Sequence, residues 1–228
     1  MNNLEIEKAS RKLLGEIWSS RTSIWPDKNL DPINILDPAL AAECLGINYE
    51  LSEDLGIFGD CGNRFEVAGS LDRDIKKILI SRRFNLAIRR FTGAHEIGHW
   101  LLHSGKIKHR DKPIGGLDNR ITKRPFEERE ADYFAACFLM PRKLIKEHFE
   151  NTFLTKAPLV FDDTTAFWLC PSDPDSLLRA NIDSLDRALS IASAESFGGR
   201  HINSLANQFR VSATSMAIRI QELGLIKE

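Results

Sequence analysis

The chain has 228 residues, 43% hydrophobic and 28% charged, with a formal net charge of -1. That composition belongs to a soluble globular protein, long enough for one sizeable core and a smaller satellite domain. No stretch approaches the roughly 20 apolar residues of a membrane span, and the charge balance excludes a global attraction to nucleic acid while leaving room for a local basic patch.

The N-terminus, Met1 to Lys8, alternates charges without an apolar core. It does not resemble a secretory signal, and a cytoplasmic location is expected. Cys44, Cys61, Cys137 and Cys170 form no C-x-x-C pair. They are expected to be reduced and mostly buried, and to provide neither a metal site nor a disulfide framework.

Residues 4–18 place Leu4, Ile6, Leu13, Leu14, Ile17 and Trp18 among charged neighbours, the pattern of an amphipathic helix. Pro26, Pro32 and Pro38 mark an extended connection. Asp37 to Gly46 then reads as a short helix with Asp37 as N-cap, Pro38 at the first helical position and Gly46 at its end. From Ile47 to Ile80 the pattern predicts short strands at Ile47–Tyr49, Phe65–Val67 and Ile78–Ile80, separated by Gly56, Gly59, Gly62 and Gly69. Such a sheet could offer an edge to an extended peptide, or serve only as structure.

Asn85 is placed to cap a helix running through Phe91, Ala94, His95, Gly98, His99 and Leu102. His95-Glu96-Ile97-Gly98-His99 sets two imidazoles four residues apart, so both project from nearly one helix face and can share a tetrahedral metal. Glu96 lies on the flank of that face, where a carboxylate can act as general base toward water. Both histidines fall close to the apolar stripe. His103, one turn further on, would extend along the helix, not close around the same ion, so it is assigned either a supporting contact to a ligand or a packing role. Gly105 to Pro125 is basic and turn-rich and reads as a solvated loop.

A second helix is predicted over Pro125–Pro141, with acids in its opening turn. Glu128, Ala131, Asp132, Ala135 and Phe138 share its inner face, which makes Glu128 the expected third ligand and Asp132 the partner of a histidine ring proton. Glu127 and Glu130 are expected to be solvated, with Glu130 the alternative ligand.

The blocks Arg89 to His103 and Glu128 to Ala136, closed by Leu139-Met140-Pro141, resemble the ImmA/IrrE family of zinc metallopeptidases. With Val67 to Leu71 and Ile78 to Ser81, the resemblance covers roughly residues 35–145. It implies a Zn2+-dependent, zincin-like peptidase domain that acts on a DNA-binding repressor in stress or mobile-element responses. On this chain, His95, His99 and Glu128 match the family's metal ligands and Glu96 its catalytic acid/base. The family usually carries Asn in place of Asp132 and a larger apolar residue in place of Gly93. Neither change removes a required chemical group.

From about Pro158 the composition turns polar and turn-rich, and Ser176–Glu195 reads as one amphipathic helix. Ser204 to Ile226 resembles a helix-turn-helix: a short helix with Leu205, Ala206 and Phe209, a turn at Arg210-Val211, and a helix capped by Ser212. A DNA-reading second helix would present Ala213, Thr214, Ser215 and Arg219 to a groove. The basic residues nearby are few, so a structural or partner-docking module is favoured over a DNA reader.

The expected architecture is therefore α+β, with a metallopeptidase-like domain at 1–157 built from an active-site helix and a small sheet, and an all-helical domain at 158–228. The expected activity is zinc-dependent hydrolysis of a peptide bond in a protein substrate, a repressor. The competing reading is a regulator that binds a protein partner or DNA and uses zinc only for folding. Tyr133, Tyr49, His109, His148 and His201 are the candidates for a second oxyanion stabiliser, with no positional argument among them.

Overall fold

In the computed structural model, residues 1–25, 30–59, 64–105, 109–111, 125–181 and 184–227 are described. By its contacts the chain divides into Met1–Leu139 and Met140–Glu228, a division that falls ahead of the composition change near Pro158.

The first unit opens with helix α1 (Asn3–Ser19), held at its start by a capping box in which Asn2 and Glu5 satisfy each other's backbone N–H. A turn of helix, α2 (Arg21–Ile24), and a 3-10 turn at Pro32–Ile35 lead to α3 (Pro38–Cys44). Asp37 caps α3 through the Ala39 amide, and Gly46 follows the helix with φ of 68°, a left-handed conformation that suits glycine.

Next come β1 (Asn48–Ser52), β2 (Ile57–Phe58), β3 (Phe65–Glu66), β4 (Gly69–Asp72) and β5 (Lys77–Ser81). Helix α4 (Leu86–Leu102) is capped by the Asn85 side chain at 3.0 Å from the Ile88 amide. After β6 (His109–Asp111) the unit closes with α5 (Phe126–Leu139). The remainder of the Gly105–Pro125 loop expected from the sequence lies outside the described residues, as do Cys61 and the side chain of His109.

Among the described residues the main sheet has the order β1-β5-β4-β6, with β1 parallel to β5 and β4 antiparallel to both neighbours. Its edges are thus β1 and β6, while β4 is paired on both sides. Alternation along β4 and β5 sends Leu71, Ile78 and Ile80, all fully buried, to the α4 side of the sheet. Each such side chain contributes about 1.5–3 kcal/mol of burial free energy.

Helix α5 packs against both α4 and α1. Its close approach to α4 depends on Gly98: a Cβ there would lie 3.1 Å from Ala131 Cα and 3.2 Å from the Ala131 carbonyl oxygen, backbone atoms that cannot turn aside. Gly98→Val is expected to destabilise the fold by about 1–3 kcal/mol, read as a lower urea midpoint. An unchanged midpoint would mean the two helices separate freely.

Gly93, where the family resemblance leads one to expect a larger residue, is explained by its neighbours. A side chain there would collide with the Tyr49 hydroxyl and come within 3.0 Å of Pro38 Cβ. The phenol of Tyr49 occupies the space that a larger residue at 93 would take.

The second unit runs through α6 (Arg142–Phe153), β7 (Leu159–Val160), α7 (Asp163–Leu169), α8 (Pro174–Leu178), α9 (Asp186–Ser193), β8 (Ser196–Phe197), β9 (Arg200–His201), α10 (Leu205–Phe209), α11 (Ala213–Glu222) and β10 (Ile226–Lys227). It is helical, with two short strand pairs, β7 with β10 and β8 with β9. The single helix expected over Ser176–Glu195 is instead two, α8 and α9. The Arg187 guanidinium donates to the carbonyls of Leu177 and Leu178 at 3.0 and 2.7 Å, giving the end of α8 partners outside its own helix.

In the α10–α11 segment a short helix, a turn and a second helix follow one another. Arg210 takes a left-handed φ of 55° at the turn, and the Ser212 side chain caps α11 through the Ser215 amide. Arg219, which a DNA-reading helix would present to a groove, is turned inward. It is 2% exposed, and its guanidinium donates to the Met140 carbonyl at 3.1 Å and to Glu222 at 3.0 Å. It is held inside the unit, which removes it from phosphate contact. Arg219→Met is expected to cost about 1–3 kcal/mol of stability, measured by thermal unfolding; unaltered stability would contradict a packing role.

Among the three described cysteines only Cys137 is buried; Cys170 is half-buried and Cys44 is exposed at the end of α3. The expectation of mostly buried thiols is corrected accordingly. Among the described residues no helix is long and apolar enough to cross a membrane.

Candidate metal centre

Helix α4 carries His95, Glu96 and His99 on its buried side, and all three are completely enclosed. The two imidazoles turn their Nε2 atoms toward each other at 2.9 Å. Glu128, in the first turn of α5, reaches across the helix pair, with Oε2 at 3.4 Å from His95 Nε2 and Oε1 at 3.3 Å from His99 Nε2. A metal about 2.0–2.1 Å from each donor of a tetrahedral site sets donor–donor separations near ~3.3 Å. The two distances to Glu128 are near that value but go to different oxygens of the carboxylate, and the separation between the histidine nitrogens is shorter. His95, His99 and Glu128 form a group that could hold a metal ion, and the site leaves the Glu128 side partly open, at 20% exposure.

Each histidine has a supporting contact on its other ring nitrogen. His95 Nδ1 lies 2.8 Å from Asp132 Oδ1, so Nδ1–H donates to the carboxylate and Nε2 keeps its lone pair. His99 Nδ1 lies 3.0 Å from His103 Nδ1, and His103 Nε2 lies 2.9 Å from Glu130 Oε2. Asp132 makes its contact with His95 from one helical turn beyond Glu128. His103 also supports a candidate ligand, but from a different backbone position: it ends the helix as C-cap, with φ of -121° and ψ of 144°, so its ring turns back to His99.

Glu130 corrects the reading of a solvated acid. It is 6% exposed and takes the Met1 ammonium on one oxygen and His103 on the other. The sequence signal that could have found it is the breadth of the buried arc on α5, where Glu130, Ala131, Phe134 and Cys137 are all enclosed. An inner face drawn from one stripe is too narrow for a helix covered on two sides.

Glu96 follows His95 by one residue, so its side chain leaves the helix roughly 100° away around the axis. It points toward β4, where a Cβ at position 69 would come within 3.0 Å of Glu96 Oε1 and collide with the Thr92 methyl. Glycine at 69 is therefore what gives the carboxylate its room. Beneath the site, the Arg73 guanidinium, from the β4–β5 turn, donates to the carbonyls of His99 and His103 and closes the C-terminal end of α4.

The oxyanion candidates are placed as follows. Tyr49 sits against Gly93, and its phenol is held protonated, its pKa raised first by burial and then by Asp37, with a smaller contribution from Glu96. Tyr133 donates to Glu7 at 2.7 Å. His148 bonds Gln208 at 2.8 Å and His201 is exposed, both within the second unit.

Compared with known proteins, residues 62–159 match the family model Peptidase_M78, described as an IrrE N-terminal-like domain. The match takes in the HExxH helix, Glu128 and Asp132, and begins later than the roughly 35–145 suggested by the motifs. No curated protein matches the chain.

Proposed function

With residues 62–159 forming an IrrE N-terminal-like domain of the Peptidase_M78 family, we propose that the chain is a zinc-dependent endopeptidase that cuts a protein substrate, a DNA-binding transcriptional repressor. The observation that carries this reading is the donor set itself: two imidazole nitrogens and a carboxylate close enough together to share one ion, with a buried carboxylate, Glu96, following one of them in the chain. Three protein ligands with a remaining position open is the pattern of catalytic zinc, whereas structural zinc is closed by four. Among the described residues no fourth His, Cys, Asp or Glu joins the group.

In this reading His95 Nε2, His99 Nε2 and Glu128 hold the ion. When bound, Zn2+ supplies Lewis acidity that makes water a nucleophile near neutral pH and polarises a carbonyl. Glu96 takes the proton of the attacking water and returns it to the leaving amine. Its enclosure keeps bulk water from competing for that proton. Asp132 and His103 hold the two imidazoles in the ring orientation that leaves Nε2 free.

The second unit serves this reading as a protein-docking module. With Arg219 held inside, Arg200, Arg210 and Lys227 are the exposed basic residues near the α10–α11 pair, beside the exposed Glu222. That is a poor electrostatic footprint for duplex DNA, whose binding depends on neutralising phosphates.

The test maps new protein N-termini in cells making the parent chain and in cells making Glu96→Gln. The proposal expects a short set of cuts, within a repressor, that appear with the parent alone. A repressor that is bound and inactivated by both forms, with no new terminus, would establish the non-catalytic zinc-containing regulator in its place.

A further inference from the structure

His95 and His99 do not have the same backing from their own helix. Helix α4 ends at Leu102, which leaves His95 seven residues from that end and His99 three. The bond that closes its last turn runs from the His103 N–H to the His99 carbonyl, at 3.1 Å. His99 therefore belongs to the final hydrogen-bonded ring of α4, and final turns fray unless something outside the helix holds them. A metal ligand tolerates little of that motion, because a site needs its donors within about 0.5 Å of the productive geometry.

We propose that Arg73 is a positioning residue for His99, a clamp from the sheet that keeps the last turn of α4, and with it one metal ligand, in place. The inference rests on the reading of His95, His99 and Glu128 as a metal site.

The clamp holds both ends of that ring. One nitrogen of the Arg73 guanidinium, Nη2, donates to the carbonyl of His99 and to that of His103. His103 has already left the helix, with φ of -121° and ψ of 144°, so its carbonyl lies outside the helical ladder. Joining residues 99 and 103 through a single nitrogen fixes the ring that the His103 N–H closes. The guanidinium carbon also lies 5.1 Å from the centroid of the Trp100 ring, so one side chain grips three residues at and around the ligand.

The base of the clamp is equally firm. Arg73 opens the β4–β5 turn, directly after Asp72. Within that turn the Asp72 carboxylate accepts from the Asp74 N–H at 3.2 Å, and the Arg73 carbonyl accepts from the Lys76 N–H at 3.3 Å. Leu71 and Ile78, on either side of the turn, are fully buried. The same strand begins at Gly69, beside Glu96. Strand β4 and its turn thus meet α4 both at the proposed base and at the turn that carries His99.

Two full-chain variants test the clamp. Arg73→Met keeps an unbranched stem and removes every donor, while Arg73→Lys keeps one nitrogen able to serve both carbonyls. Amide hydrogen exchange in the metal-free chain is followed at His103, whose N–H bonds the His99 carbonyl, and at His99, one turn back. Zinc affinity is measured by competition with a chromophoric chelator, and the visible spectrum of bound cobalt(II) reports the geometry of the ligands. Arg73→Met is expected to speed exchange at His103 about tenfold or more while leaving His99 within about twofold of the parent. It is expected to weaken zinc about 10–100-fold and to shift the cobalt bands. Arg73→Lys is expected to restore the parent bands and bring zinc affinity to within about threefold of the parent.

Equal acceleration at His99 and His103 would mean general destabilisation and would overturn the clamp. So would a parent-like zinc affinity or cobalt spectrum in Arg73→Met, or equal losses in the Met and Lys variants. Should Arg73→Met fail to fold, Arg73→Gln, whose shorter stem does not span to both carbonyls, takes its place with the same expectations. A parent chain that binds neither zinc nor cobalt would defeat the metal reading, and exchange at the two amides would still decide whether Arg73 holds the turn.

Discussion

Glu96→Gln is expected to bind metal as the parent chain does and to cleave its substrate about 10²–10⁴-fold more slowly. The two side chains have nearly the same shape, and Glu96 is not among the three residues that face one another as donors. What the substitution removes is the ability to take a proton from water and hand it on. Because the residue is fully enclosed between α4 and β4 and bordered by Gly69, no bulk solvent base reaches the same position readily. The measurement pairs metal content with single-turnover cleavage of the identified substrate. Loss of metal in this variant would assign Glu96 to the ligand set, and retained cleavage would remove it from the mechanism.

Taking away a ligand, or the metal itself, carries the second large effect. Bound zinc in protein sites is worth about 10–16 kcal/mol in total, so each of three ligands carries about 3–5 kcal/mol, roughly 10²–10⁴ in affinity. Glu128→Ala is expected to lose that much, with hydrolysis lost at ordinary zinc concentrations. The fold should survive. Ala94 and Ile97 on α4, with Ala131, Phe134 and Phe138 on α5, are wholly buried apolar contacts that join the helix pair without metal.

Chelation is therefore expected to remove the activity and lower the melting temperature by the binding linkage alone, about 2.7 kcal/mol at a hundredfold excess over Kd, while the far-UV helical signal at room temperature stays in place. Collapse of that signal on chelation would mean that the metal is used for folding, as the regulator reading requires.

Much of the first unit can be read from local chemistry in the sequence. Asn85 and Asp37 announce their helices, as Ser212 does in the second unit, because a capping side chain needs only the next turn of backbone to act. His95 and His99 share a face because four residues is close to one helical turn, and Glu128 and Asp132 were legible for the same reason. Peptidase-family motifs then joined two helices that the sequence separates.

The errors came from contacts that no local pattern encodes. Glu130 belongs to an arc of α5 buried by α1 as well as by α4, and a search for a single stripe places it in solvent. The break in Ser176–Glu195 depends on Arg187 reaching back to the carbonyls at 177 and 178. The charge of Arg219 is visible in the sequence, while its acceptor, the Met140 carbonyl, is 79 residues away along the chain. Gly93 likewise makes sense only beside Tyr49, which arrives from a different element.

The zinc content of purified protein, measured in parallel for the parent, Glu96→Gln and Glu128→Ala, tests the central claim most directly. The account predicts one zinc per chain in the parent and in Glu96→Gln, and a small fraction of that in Glu128→Ala. A parent chain free of zinc after purification under non-chelating conditions, or full occupancy in Glu128→Ala, would contradict it.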